Sequence, residues 1–182
     1  MHTDVLDPPF APIHPPTELA WALAGLSAAS LLTAAGSAAA FDVGLTSAAV
    51  TTGLSLGPSI ALRTAVLTAP SLLAVAVVRG LPLTAGQVAS AVAAGLTRAG
   101  RLAGGATPAL LLFALTTRWT PLLALAVITW AGLAGLATTA AALRAHTPDR
   151  TLIAAWQLLS LLIGARLVFD GTVELARVVL HL

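Results

Sequence analysis

PLLALAVITWAGLAGLATTAAAL, residues 121–143, decides the fold: the run is uninterrupted and holds no ionisable side chain. About 20 apolar residues in a helix cross the roughly 30 Å hydrocarbon core of a bilayer. No water is present there to satisfy backbone N–H and C=O groups, so a run this long must pair its own backbone as an α-helix. Thr120 followed by Pro121 reads as an N-cap and an N1 proline. Arg118-Trp119 marks the interface just before it.

Other stretches read the same way. Thr17 and Glu18 follow Pro15-Pro16 at the entrance of an apolar run over about residues 19–40, with Trp21 placed for the interface and Phe41-Asp42 as its stop. Residues 43–78 are too long for one span and marginal for two, punctuated by Gly57-Pro58 and Ala69-Pro70 with Arg63 inside. They predict a loop or shallow helix over residues 44–56, then a span over about 59–78; two short spans are the alternative and would invert the N-terminus. After a loop at Arg79-Gly80-Leu81-Pro82, residues 84–102 form a weakly amphipathic helix, broken or kinked by Gly104-Gly105 and Thr107-Pro108, so that a third span covers about 99–117. Thr147-Pro148-Asp149 is a second helix-start signal, and the last helix runs toward residue 182 with a span over about 152–170. The fold expected is all-α: a polytopic transmembrane bundle of five spans forming one domain over residues 18–182, after a Pro-rich arm over residues 1–17. That arm, MHTDVLDPPFAPIHPP, lacks a basic n-region and reads as an extended segment along the headgroups, not a signal peptide.

Composition agrees. Of 182 residues, 58% are hydrophobic and 9% charged, too few to clothe a water-soluble surface. Mean hydropathy is +0.94. All nine basic residues are Arg and the net charge is only +2, so the high pI signals no dense basic patch and gives nucleic-acid binding little support. Without Cys, disulfides, thiolate catalysis and Cys-ligated metals are excluded. With five spans, Arg79, Arg98, Arg101, Arg144 and Arg150 fall on one side and Arg118 and Arg177 on the other. The positive-inside rule makes the first side cytoplasmic, with the N-terminus in and the C-terminus out.

The sharpest polar feature is a stripe near the C-terminus: Arg166, Asp170, Glu174, Arg177 and His181, spaced four, four, three and four and so aligned on one helix face. Ionisable groups inside a bilayer are costly and mark ion paths or subunit contacts. The plainer reading is an interfacial helix with local ion pairs, a snorkelling Arg166 and a bend at Gly171. Arg63 is the second candidate, positioned either to meet Asp170 or Glu174 within the bundle or to snorkel from a span's end. Asp42 reads as a loop residue. His2, His14, His146 and His181 are scattered without ligand spacing, so no metal or other cofactor is expected. There is no GxSxG, intramembrane aspartyl pair or Walker loop, and the Ser and Thr within spans are expected to bond their own helix backbone. Small-residue pairs, Gly100 with Gly104, Gly25 with Ala29, and Ala131 with Gly135, permit close helix approach.

The layout resembles that of bacterial Yip1-domain membrane proteins over about residues 59–163. The resemblance rests on Leu83-Thr84-Ala85-Gly86-Gln87 opening an amphipathic helix that passes through a proline into a span, and on Thr147-Pro148-Asp149-Arg150 before the last span. It implies a role in membrane organisation or trafficking and no reaction; the segment at residues 98–105 and the polar C-terminal helix depart from that pattern. The function expected is a non-enzymatic scaffold or accessory subunit of the bacterial cytoplasmic membrane, packing against other subunits or itself. Arg79, Arg98 and Arg101 would then meet lipid headgroups or a partner. The alternative is a small permease or channel subunit with a polar path through Arg63, Arg166, Asp170 and Glu174.

Overall fold

A computed structural model describes residues 16–180, which fold into five α-helices and their connections, with no strand among the described residues. The helices are α1 (Pro16–Ala40), α2 (Ser47–Val78), α3 (Ala85–Thr116), α4 (Thr120–Arg144) and α5 (Arg150–Leu180). Each is long and apolar enough to cross a membrane. The connections, at residues 41–46, 79–84, 117–119 and 145–149, are short, so successive helices run antiparallel. Residues 1–15 of the expected arm and His181 lie outside the described residues.

Local chemistry sets the helix ends. The Thr46 hydroxyl accepts from the backbone N–H of Ala49 at 3.1 Å and caps α2. Thr84 and Gln87 form a reciprocal capping box at the start of α3. Asp149 Oδ1 accepts from the backbone N–H groups of Thr151 and Leu152, both at 3.0 Å, and satisfies two orphan donors of α5. Helix α4 departs from expectation: its cap position is Trp119, with no side-chain capping bond. Thr120 is buried, and its hydroxyl donates backward to the Thr117 carbonyl at 2.9 Å.

Two helices stop in the same way. At α2, Leu81 N–H reaches the Ala76 carbonyl at 2.9 Å and Gly80 N–H the Val77 carbonyl at 3.0 Å, with Gly80 at φ +65°. This is the Schellman arrangement, which needs a left-handed residue just past the helix. At α1, Val43 N–H reaches Ala38 and Asp42 N–H reaches Ala39, with Asp42 itself in the left-handed region at φ 57°. The loop position expected of Asp42 is therefore a helix stop.

Two expected interruptions do not occur. Residues 47–56 are neither loop nor separate shallow helix; α2 continues through Pro58 and Pro70. Helix α3 likewise continues through Gly104, Gly105 and Pro108 as one helix, Ala85–Thr116, which contains the expected 99–117 span almost whole. Close packing holds the first of these sites helical: Gly57 lies so near Leu26 and Ser30 of α1 that a Cβ there would collide with the Ser30 hydroxyl. Breaking a helix inside hydrocarbon would also leave several backbone groups unpaired, whereas proline removes one N–H.

Small residues carry the bundle's closest contacts. A Cβ on Gly25 would run into the Gly100 carbonyl, and one on Gly100 into the Ala22 backbone, so α1 and α3 touch backbone to backbone. On the other side of α3, a Cβ on Gly135 of α4 would lie 2.7 Å from the Gly95 carbonyl. Helix α5 packs antiparallel on α2 through Gly164 opposite Thr64 and Gly171 opposite Leu56 and Ile60. By contrast, α4 meets α5 and α2 meets α3 only sparsely. The result is a tight α1–α3–α4 layer and an α2–α5 pair, joined through α1 and α2 and parted by a cleft.

Candidate functional site

Some charged residues cluster at one end of the bundle, and others lie near the middle of helices. At the end, Arg79 closes α2 and its guanidinium donates to Asp149 Oδ2 at 2.7 Å, tying the 79–84 connection to the start of α5. The hydroxyl and backbone N–H of Thr151 donate to Asp149 Oδ1 at 2.6 and 3.0 Å. The Thr151 hydroxyl, the Leu152 N–H and Arg79 together hold the Asp149 carboxyl well below the usual carboxylate range. Gln87 Nε2 and His146 Nδ1 lie 3.3 Å apart beside this latch. Beneath it a core cluster holds Leu72, Val88, Leu143 and Ile153, the bulkiest of the fully buried side chains.

Arg98 and Arg101 do not join Arg79 in one contact segment. Both sit inside α3, and Arg98 is about 20 Å along the helix from Ala85 at 1.5 Å per residue. Arg101 bridges to Glu18 of α1 at 3.2 Å. The stretch expected to precede the third span is thus continuous with it in one helix, and Arg79, Arg144 and Arg150 are the arginines at that end of the bundle.

The stripe on α5 is placed as its spacing requires. Arg166 Nε donates to Asp170 Oδ2 at 2.9 Å, and Arg177 approaches Glu174 at 4.0 Å, both within the helix. The helix runs on through Gly171, whose lack of a Cβ admits Leu56. The stripe faces outward, with side-chain exposures of 73% for Arg166 and 49% for Asp170, while Gly164, Gly171 and Leu175 face α2. Arg63 is not brought to Asp170 or Glu174. It is exposed on α2, and no ion-pair partner for it exists among the described residues.

Depth makes Arg63 unusual. It occupies the middle of α2, Ser47–Val78, with about 24 Å of helix on either side. For α2 to fill a core of about 30 Å, Arg63 must lie at least about 6 Å inside the hydrocarbon, wherever the helix slides. Gly164 faces Thr64, which puts Arg166 within a turn of the same level. Exposed charges thus occur near mid-helix on α2, α3 and α5, with Arg101 level with the first turn of α1 through Glu18.

The cleft is the other site, and none of these charges enters it. It has a volume of about 500 Å³, bounded by α2, α3, α4 and α5 and lined by Thr64, Thr68, Trp156 and Ser160 among apolar side chains. Among the described residues no group of His, Cys, Asp or Glu is arranged to hold a metal. No protein-family model, curated protein or solved structure matches the chain. Sequence reading missed the cleft and the Arg79–Asp149 latch. The available signals were the start sequence at Asp149 and the glycines 57, 95, 132, 135 and 164, spread over α2, α3, α4 and α5.

Proposed function

We propose that this chain is a non-enzymatic integral membrane subunit that assembles through its outward-facing charges with another membrane protein or with further copies of itself. One observation carries the reading: Arg63 is exposed at the middle of an apolar 32-residue helix. An arginine facing hydrocarbon costs about 2.5–3.5 kcal/mol on insertion scales, and more in simulations. A partner surface carrying a carboxylate or carbonyl groups at that depth removes the cost. The Arg166–Asp170 pair at nearly the same level gives a second contact of mixed charge. The Yip1-like layout of residues 59–163 agrees with a role in organising the membrane. The arginines flanking the 79–84 and 145–149 connections support a placement with the N-terminus inside, in a bacterial cytoplasmic membrane on the Yip1-like reading.

The test is the mass of the complex extracted from native membranes in polymer nanodiscs, for the full chain and for Arg63→Leu and Asp170→Asn. Assembly predicts a particle larger than one chain, lost in Arg63→Leu while the released chain stays helical. A wild-type particle holding a single chain sinks the proposal. A polar path for transport is the lesser reading, since the charges lie outside the bundle and only several copies could enclose them. It requires ion flux in proteoliposomes that Asp170→Asn abolishes.

A further inference from the structure

We infer, resting on the assembly proposed above, that the outer face of the α2–α5 pair is a two-fold interface with a second copy of this chain, in which Arg63 of each copy meets Asp170 of the other. Both residues belong to that face. On α2, Leu56, Ile60 and Thr64 point at Gly171 and Gly164 of α5. At about 100° per residue, Arg63 is turned about 60° from that line. The cleft-lining Ala61 and Thr68 are turned the opposite way. On α5, Asp170 and Glu174 are turned about 70–110° from the line through Gly164 and Gly171, again away from the cleft-lining Leu161 and Ala165. Cleft and charges therefore occupy opposite sides of the pair.

The two helices carry stripes in register. Arg63, Ser59 and Ser55 are spaced four apart on α2, as are Arg166, Asp170 and Glu174 on α5. The helices are antiparallel, with Gly164 opposite Thr64 and Gly171 opposite Leu56 and Ile60. Arg166 is therefore level with Arg63, Asp170 with Ser59 and Glu174 with Ser55. Side chains on a helix lean toward its N-terminus, and α2 begins at Ser47. Arg63 is thus aimed toward the level of Asp170, about 6 Å along the helix. It has no ion-pair partner among the described residues. Asp170 engages Arg166 through Oδ2, and its Oδ1 remains an open acceptor among the described residues.

The partner follows from depth. Arg63 needs a carboxylate at its own level, and the chain presents one on the neighbouring helix. Rotation about a two-fold axis normal to the membrane leaves every depth unchanged and sets α2 of one copy against α5 of the other. Arg63 then meets Asp170 twice, at a level the chain itself fixes, whereas a different protein would need its own carboxylate matched to that depth. The surface beside Arg63 permits close approach: Ser59 and Ser55 are small, and their hydroxyls donate to carbonyls of α2 itself at 2.9 and 3.1 Å.

The test is charge reversal in trans. Two differently tagged full chains are co-expressed and extracted from native membranes in polymer nanodiscs, and the fraction captured through both tags is measured. Arg63→Asp on both chains sets carboxylate against carboxylate at the two contacts, and Asp170→Arg on both sets cation against cation. Each should lower the co-captured fraction at least roughly tenfold. Arg63→Asp on one chain with Asp170→Arg on the other restores both contacts, one native and one reversed, and should recover co-capture. Pairing within one chain cannot be rescued in this way. Arg63→Gln and Asp170→Asn, mixed likewise, keep one native pair and supply the same comparison if a reversed charge prevents insertion. Co-capture that no substitution lowers, or that the substitutions abolish and neither mixed pair recovers, overturns the two-fold contact. Particles heavier than one chain that never hold both tags also overturn it and leave assembly with a different membrane protein standing. Particles of a single chain overturn both.

Discussion

The indole Nε1 of Trp156 donates to the backbone carbonyl of Thr68 at 3.1 Å, linking α5 to α2 between residues 88 apart in sequence. The bond is buried, and Trp156 lies at 5% exposure over the Leu72–Ile153 cluster at the base of the cleft. A buried hydrogen bond without competing water contributes about 0.5–1.5 kcal/mol net. Trp156→Phe should therefore lower stability by about 1–2 kcal/mol, and Trp156→Ala by about 3–5 kcal/mol through the added cavity. Reversible unfolding in mixed micelles, followed by loss of helical signal, measures both. Equal effects of the two substitutions would mean that the indole's bulk contributes nothing.

Neighbouring glycines on α3 should behave oppositely. A Cβ on Gly100 collides with the Ala22 backbone, whereas one on Gly105 meets nothing within 4 Å. Backbone cannot swing aside as a side chain can, so Gly100→Ala must separate α1 from α3 and should cost about 1–3 kcal/mol. Gly105→Ala keeps every contact and gains helix propensity, up to about 1 kcal/mol. The same unfolding assay applied to both variants gives the answer in its sign: destabilisation of similar size at both positions would contradict the α1–α3 contact.

The latch at Asp149 predicts an acid response. Its carboxyl is held below the usual range by Thr151, Leu152 and Arg79, so its folded pKa lies under the unfolded value, which is about 3.9. A depressed carboxylate pKa contributes stability that is fully present above the unfolded pKa and fades as pH falls below it toward the folded pKa. Stability should then be insensitive to this group between pH 7 and about 5 and should fall below about pH 4. Asp149→Asn should be less stable at neutral pH and show a shallower acid decline. A wild-type and variant pair with parallel thermal midpoints from pH 7 to 3 would remove Asp149 as a stabilising contact.

How far one dimension of sequence reached depends on which forces act locally. The fourth span, read over residues 121–143, is observed as Thr120–Arg144, and the first, read over 19–40, as Pro16–Ala40, because proline, arginine and aspartate flank uninterrupted apolar runs. The breaks that the sequence suggests at Gly57-Pro58, Gly104-Gly105 and Pro108 do not occur, and α2 and α3 are continuous there. Local breaker chemistry lost to packing against α1 at Gly57 and Gly104, and to the cost of unpaired backbone in lipid. The Arg166–Asp170 pair was visible as an i,i+4 spacing, since both partners share a helix. The contact of Arg101 with Glu18, the isolation of Arg63 and the cleft around Ser160 depend on how helices are rotated against one another. The small-residue pairs mark Gly25, Gly100 and Gly135 as points of close approach, and the structure places them at such contacts, but an Ala- and Leu-rich sequence leaves which helix faces which unmarked.

The last prediction concerns the membrane itself. The chain has no Cys, so single cysteines report without background. Gly44 lies in the 41–46 connection, and Pro82 and Ala145 in the 79–84 and 145–149 connections at the other end of the bundle, all exposed. Five crossings require Pro82→Cys and Ala145→Cys to label from the side opposite Gly44→Cys; with three arginines at the Pro82 end, that side should be the inner one. Arg63→Cys and Asp170→Cys separate the possible surroundings of the mid-helix charges. Protection from both small and bulky water-soluble thiol reagents means that lipid or a partner chain covers these positions, as an assembling subunit requires. Reaction with a small reagent and not with a bulky one means that water reaches mid-depth, which no cavity within one chain provides for these outward-facing residues. Copies of the chain would then have to enclose the water between them, and the transport reading would displace the scaffold.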